Sequence, residues 1–364
     1  MAPLRMAVIG VGHLGQAHAR VLAALDGVEL VGVADVSAAQ ARQVADRHHT
    51  RAYTHFGPLL DQADAACIVV PTCHHHTVAT AFLERGIPLL IEKPIAPTVE
   101  QAAELVDLAR RKGVVLQVGH IERFNPAFEA LCGRPIRPKF VECERHGPFT
   151  GRSTDIGAVL DLMVHDLDLL NALDGSAVVA VEAMGITVFG GQEDLVNARL
   201  RFASGCVAHV TASRISPHPK RRLRIWAAEG YAGIDFMQGR LALVQPSDEL
   251  RRHGLNVAHL DPARRGALKD EIFTRYLLSQ EQVCTSAEDQ LTRELRHFVD
   301  CVRTGSRPRV SGEDGLAAVA LAMRVLTSLR EHQWEGRPDG PTGPANMPAP
   351  IGRLIDDRDG RAAA

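Results

Sequence analysis

Met6-Ala7-Val8-Ile9-Gly10-Val11-Gly12-His13-Leu14-Gly15 is the stretch whose reading decides the fold. An apolar run reads as a strand buried on both faces, and the pattern from about Leu14 to Leu25 reads as a helix. Between them the glycines are spaced GxGxxG. Alone this spacing is weak, and a plain strand–helix turn would also explain it. Placed between strand and helix, each glycine has a use. Gly10 permits the tight turn, Gly12 lets backbone approach a pyrophosphate, and Gly15 lets the helix pack closely. The helix N-terminus, with His13 and Leu14 in its first turn, offers N–H groups and a partial positive charge to phosphate. Asp35 ends the next apolar run, Glu29–Asp35. A carboxylate there accepts from both ribose hydroxyls and repels a 2′-phosphate, and the residues after it are Val36 and Ser37, not Arg. NAD is therefore favoured over NADP, with a helix cap as the plainer reading of Asp35.

Outward from this stretch the strand–helix rhythm continues: a helix near Ser37–Asp46, strands at Arg51–Tyr53, Ala65–Val70, Ile87–Ile91 and Val114–Val118, and helices at His75–Arg85 and after the capping pattern Thr98-Val99-Glu100-Gln101. This predicts a doubly wound parallel sheet of Rossmann type over residues 1–121. After that the rhythm changes. A helix over Gly157–Leu173 precedes strands at Val178–Val188, Leu195–Phe202, Val207–Ser213, Leu223–Ala228, Tyr231–Phe236 and Leu241–Val244. Turn-like connectors such as Ser204-Gly205 and Glu229-Gly230 leave no room for crossover helices, so an open, mostly antiparallel sheet is expected. Helices near Ser286–Arg303 and Gly312–Glu331 close this α+β domain, residues 122–335. The charged segment 247–280 is unassigned, with an arm or a lid as its readings, and 336–364, rich in Pro, Gly and Asp, reads as a flexible tail.

Composition narrows the partners. The chain has 364 residues, enough for two domains, and 41 Lys plus Arg against 43 Asp plus Glu. A formal charge of -2 gives no reason to expect nucleic acid or an anionic membrane as partner. Neither a membrane-spanning apolar run nor a secretory signal is read, and the seven cysteines form no CxxC. A reduced, cytoplasmic protein is the expectation.

Chemistry concentrates in two places. Glu92-Lys93-Pro94 ends the fifth strand, at the sheet edge where ligands bind. The Lys93 ammonium there can stabilise charge on a reacting oxygen, or it is a surface lysine just past a strand. In Val159–Leu170 the residues Asp161, His165 and Asp168 fall at i, i+4 and i+7 on an otherwise apolar helix. Histidine suits proton abstraction from an alcohol near neutral pH, and Asp161 can orient it, with Asp168 as a second partner or a substrate contact. A structural network between domains and a metal site are the other readings; no second ligand cluster accompanies the metal reading. His74-His75-His76 follows Pro71-Thr72 beside the crevice, so Thr72 and His75 are placed against the nucleotide. Arg123 and Asn125 at the domain junction, and Arg152 before the striped helix, are candidates for polar groups of the substrate, with a structural junction and a surface loop as alternatives.

Taken together, Gly10–Gly15, Asp35, Pro71-Thr72 with His75, Glu92-Lys93-Pro94 and Asp161-x-x-x-His165 resemble the Gfo/Idh/MocA family over about residues 5–332. The resemblance implies tightly held NAD(P), with Glu92 and Lys93 near it. It implies oxidation of a sugar or cyclitol hydroxyl, with Lys93 near the reacting oxygen and His165 as acid/base with Asp161 beside it. It further implies homodimers or homotetramers packed through the second-domain sheet. Val118–Pro126 and Ser153–Gly157 are similar to members that oxidise the 3-hydroxyl of UDP-N-acetylglucosamine, whose 3-keto product is aminated for lipid A-type glycolipids. Other sugars, hexuronates and inositols, a reductase working in the opposite direction, and a non-catalytic NAD-binding sensor are the competing readings.

Overall fold

Alternation of buried and half-buried positions separates two sheets in the computed structural model, which describes residues 2–151, 156–189 and 191–349. In the first, β1 (Leu4–Ile9), β2 (Val28–Ala34), β3 (Ala52–Tyr53), β4 (Ala65–Ile68), β5 (Leu89–Glu92) and β6 (Leu116–Gly119) lie parallel in the order β3-β2-β1-β4-β5-β6. Helices α1 (His13–Ala24), α2 (Ala38–His48), α3 (His75–Glu84) and α4 (Val99–Lys112) are the crossovers. The strand order reverses at β1 and β4, the crevice where such sheets bind ligands. Thr98 caps α4 by accepting the Gln101 N–H, as the capping pattern predicts.

The second domain holds α5 (Pro126–Cys132), β7 (Phe140–His146), a π-helical turn at Val159–Met163 running into α6 (Val164–Asp174), β8 (Val178–Thr187), β9 (Leu195–Phe202), β10 (Val207–Ser213), β11 (Lys220–Ala227), β12 (Gly230–Asp235) and β13 (Arg240–Pro246). After α7 (Asp248–His253) and α8 (Pro262–Glu271) come β14 (Leu277–Val283), α9 (Gln290–Thr304), α10 (Gly312–Glu331) and β15 (Ala345–Asn346). The sheet runs β14-β13-β12-β11-β7-β10-β9-β8-β15, antiparallel except at β7–β10 and β8–β15. Its inner face packs Val141, Leu200, Val210 and Leu223 against Met163, Leu167 and Leu170 of the π-turn and α6, and Val325 of α10.

Four expectations change. The central strand β7 is absent from the sequence reading, because its inward positions Val141, Cys143 and Arg145 include a charge. The charged segment 247–280 is α7, α8 and the start of β14, tied by Arg264–Glu271 and Arg275–Glu249 pairs. The described part of the tail also folds back. Trp334 Nε1 donates to Gly343 O at 2.7 Å, Met347 N to Thr187 O at 2.9 Å, and β15 extends the edge of β8. Glycines that read as flexibility are turns there, and the open edge of β8 supplies the hydrogen-bond partners. Helices α9 and α10 do not serve the second sheet alone. Leu295, Phe298 and Val299 of α9 join the Rossmann core beside Met6 and Leu90, and α10 spans both domains.

Candidate active site at the domain crevice

The glycine turn leaves a cradle. Gly10 has φ +86°, and a Cβ there would strike Val69 O at 2.6 Å. A Cβ at Gly15 would overlap the Gly10 carbonyl. Around Gly12, in contrast, a Cβ would meet nothing within 4 Å: the space is open where a pyrophosphate would lie. Helix α1 begins there with no side-chain cap and no acidic residue in its first turn, so its N–H groups face that space. His13 and Leu14 are exposed beside it. Asp35 accepts the N–H of Val11 and of Ser37, both at 2.9 Å. Each carboxylate oxygen keeps a lone pair for a ribose hydroxyl, and Val36 stands 95 % exposed alongside. These residues fit a dinucleotide.

At the carboxyl end of β5, Glu92 turns inward. Its Oε1 meets His18 Nε2 at 2.9 Å and its Oε2 accepts the Lys93 N–H at 3.2 Å. Burial pushes the Glu92 carboxyl up, but the His18 hydrogen bond and the Lys93 charge outweigh it and hold the group below its ordinary range. Lys93 then reaches across the crevice. Its Nζ donates to Asp161 O at 2.7 Å and to Asp161 Oδ1 at 3.1 Å. The ammonium of the first domain is thus seated on the π-turn of the second.

His165 is one turn on. Burial, then the charges of Lys93 and Arg145, then His120 and Arg221, lower it well below the ordinary histidine value. Its Nδ1 is buried without a hydrogen-bond partner among the described residues, and its ring lies 6.2 Å from that of His120, edge to face. His120 is itself pushed down to about 3, by burial and then by Lys93 and Arg123. Both imidazoles are neutral at pH 7, and a neutral imidazole beside a fixed ammonium can accept a hydroxyl proton.

The expected pairing of Asp161 with His165 is corrected: Asp161 holds Lys93. The i→i+5 winding of Val159–Met163 displaces residue i+4 from the face it would occupy on an α-helix, and such turns recur at functional sites. Asp168 does not reach His165 either. It is 1 % exposed, 3.8 Å from Arg123, and raised to about 7, chiefly by burial. Arg123 also donates to Arg309 O, and Asn125 is 1 % exposed and caps α5 through the Ala127 N–H. All three sit at the domain junction, held by these neighbours, with Asp168 Oδ2 buried and without a partner among the described residues. His75 is buried, with its ring nitrogens 2.8 Å from Pro94 O and Val70 O. It ties the turn that carries Lys93 to the segment after β4. Thr72, 7 % exposed, opens the 3-10 turn that leads into α3. Arg152 lies outside the described residues.

The sequence reading passed over Arg145. Its guanidinium grips Asp166 through two 2.9 Å bonds and Glu122 through a third, all three side chains nearly inaccessible. Burial pulls Arg145 down, yet the two carboxylates outweigh it and raise it. The triad pins α6, and with it His165, to the sheet and to the junction. A charge at an inward position of Phe140–His146 was its signal.

Residues 4–120 match the model of an oxidoreductase family with an NAD-binding Rossmann fold, and residues 127–232 match the GFO/IDH/MocA C-terminal domain. The chain belongs to the GFO/IDH/MocA family. Like its members it is an NAD-binding oxidoreductase, and no helix among the described residues is long and apolar enough to cross a membrane. Within the family it is 38% identical to the UDP-N-acetylglucosamine 3-dehydrogenase of Acidithiobacillus ferrooxidans, over 90% of this chain and 98% of that one. It is 26% identical to the scyllo-inositol 2-dehydrogenase (NAD(+)) of Bacillus subtilis, over 90% and 94%. The solved structure of the Acidithiobacillus ferrooxidans enzyme superposes with a TM-score of 0.78 at 32% identity, covering 90% of this chain and 98% of that one.

Proposed function

We propose that this GFO/IDH/MocA member oxidises a ring hydroxyl of a nucleotide sugar, the 3-hydroxyl of UDP-N-acetylglucosamine, to a 3-keto sugar, and that Lys93 and His165 carry the chemistry. The observation that carries this is the Lys93 ammonium held across the crevice by Asp161, beside the uncharged His165. NAD⁺, when bound on the glycine cradle, supplies the hydride acceptor. The chain supplies the rest. Lys93 orients the substrate oxygen and stabilises the charge that develops on it. His165 takes the hydroxyl proton. Asp161 positions Lys93, and the Arg145 triad positions His165. The substrate reading is supported by the relative at 38% identity. Delivery of the 3-keto sugar to an amination that feeds lipid A-type glycolipids, and a cytoplasmic homodimer or homotetramer built through the second-domain sheet, are parts of the same proposal.

The test is NADH formation followed by absorbance, with UDP-N-acetylglucosamine, UDP-hexuronates, free hexoses and inositols offered in parallel. Turnover of the UDP-N-acetylhexosamine well above the rest is the expected result. Turnover of inositol or a free hexose in its place would overturn the substrate. Silence across the panel with NAD still bound would favour a sensor.

A further inference from the structure

A cavity of about 490 Å³ opens on Asp161 and Leu162 and is floored by the second-domain sheet. Its wall is cationic: Arg145, Arg214 and Arg221 line it. Two of the three are neutralised within the protein, Arg145 by Asp166 and Glu122, and Arg214 by Asp194 at 2.7 Å. The Arg221 guanidinium has no hydrogen bond or ion pair among the described residues, and the side chain is exposed to the cavity. Its placement on the strand is the notable feature. On β11 it is in phase with Leu223 and Ile225, which face the core, and it is registered directly opposite Arg145 on β7. Like charges opposed across a strand pair destabilise the sheet, and an apolar residue would satisfy the alternation. At the mouth of the same cavity Phe149 is 43% exposed and packs on Phe189, 55% exposed, with ring centroids 4.6 Å apart. The Arg214 guanidinium stands 5.8 Å from the Phe149 ring centre.

We infer that this cavity is a nucleoside diphosphate subsite, in which Arg221 pairs with the diphosphate and Phe149 packs against the face of the base. The inference rests on the nucleotide-sugar reading and deepens it. The unpaired guanidinium supplies the bidentate charge that a phosphate oxygen pair takes. The exposed ring supplies a stacking platform. The sugar then extends from the cavity toward Asp161, Lys93 and His165.

The experiment is calorimetric titration of the NAD-loaded protein with UDP and with uridine. Arg221→Gln is expected to weaken UDP about tenfold or more while moving uridine little, as befits a lost charge-assisted contact. Arg221→Lys should fall between the two. Phe149→Ala should weaken UDP and uridine alike, again by about tenfold. Arg222→Gln, which loses only a surface pair with Asp235, is the control and should leave UDP affinity unchanged. Circular dichroism and NAD binding show that each variant is folded. UDP affinity equal in wild type and Arg221→Gln would overturn the Arg221 assignment while leaving the substrate reading intact. A wild-type protein that oxidises free sugars or hexuronates and does not bind UDP would overturn both.

Discussion

Arg145→Met removes the cation from between two buried carboxylates. The side chains of Glu122, Arg145 and Asp166 are 5%, 4% and 1% exposed, so water does not replace the lost bonds. Breaking a buried pair in this way costs about 3–5 kcal/mol. For a domain of this size that is a fall in Tm of about 6–20 °C. The loss has a definite pH dependence. Burial already pushes Asp166 up while Arg145 is present, and without the cation this carboxyl rises further above its unfolded value. A carboxyl with a raised folded pKa contributes stability below its unfolded pKa and loses it as pH rises through the folded one. The variant should therefore be furthest below wild type near pH 8 and recover on acidification to about pH 5. Replacing all three residues by apolar ones should restore most of the stability, since the desolvation penalty is removed with the charges. Scanning calorimetry of wild type and variant across this range is the assay. A penalty under about 1 kcal/mol, or one that does not vary with pH, would refute a buried, ionised triad.

Other outcomes follow from the same structure. Gly15→Ala, whose Cβ would overlap the Gly10 carbonyl, should lower Tm; Gly12→Ala, which points into open space, should leave Tm unchanged and raise the KM for NAD. Asp35→Ser should weaken NAD by about tenfold and relax the exclusion of NADP, read as the ratio of kcat/KM values for the two cofactors. Since burial and then the Lys93 charge hold His165 well below the ordinary histidine value, the acid limb of kcat/KM should lie well under pH 6.5 and move up in Lys93→Met; a limb near 6.5 in wild type would contradict this. His165→Asn should lower kcat about 100- to 10,000-fold with NAD binding retained by fluorescence titration.

The first domain is legible because each of its elements states its role locally. Apolar runs, Gly10–Gly15, Asp35 and the capping residue Thr98 all sit where local rules place them. The site is legible only as a set of residue types. Lys93, Asp161 and His165 carry the right chemistry, but their pairing depends on a π-turn that no spacing rule reveals, and Asp161 therefore joins Lys93. The partners of Asp168 and Arg123, each other and Arg309, are supplied by tertiary folding and so do not show in one dimension, whereas the Asn125 cap on Ala127 is local. Arg145 hides for the converse reason: a charged inward residue makes β7 look like a loop, and the carboxylates that neutralise it come from either side of the junction. The return of α9 and α10 to the first domain is likewise invisible in a reading that assigns helices to the nearest sheet.

The central claim is that the Lys93 ammonium and the His165 imidazole act on one hydroxyl group. A double-mutant cycle in kcat/KM with UDP-N-acetylglucosamine and NAD, using Lys93→Met, His165→Asn and the pair, tests it directly. Groups that act as a unit give a double variant scarcely worse than the poorer single one. Losses that multiply in the double variant would place the two groups at independent sites and contradict the account.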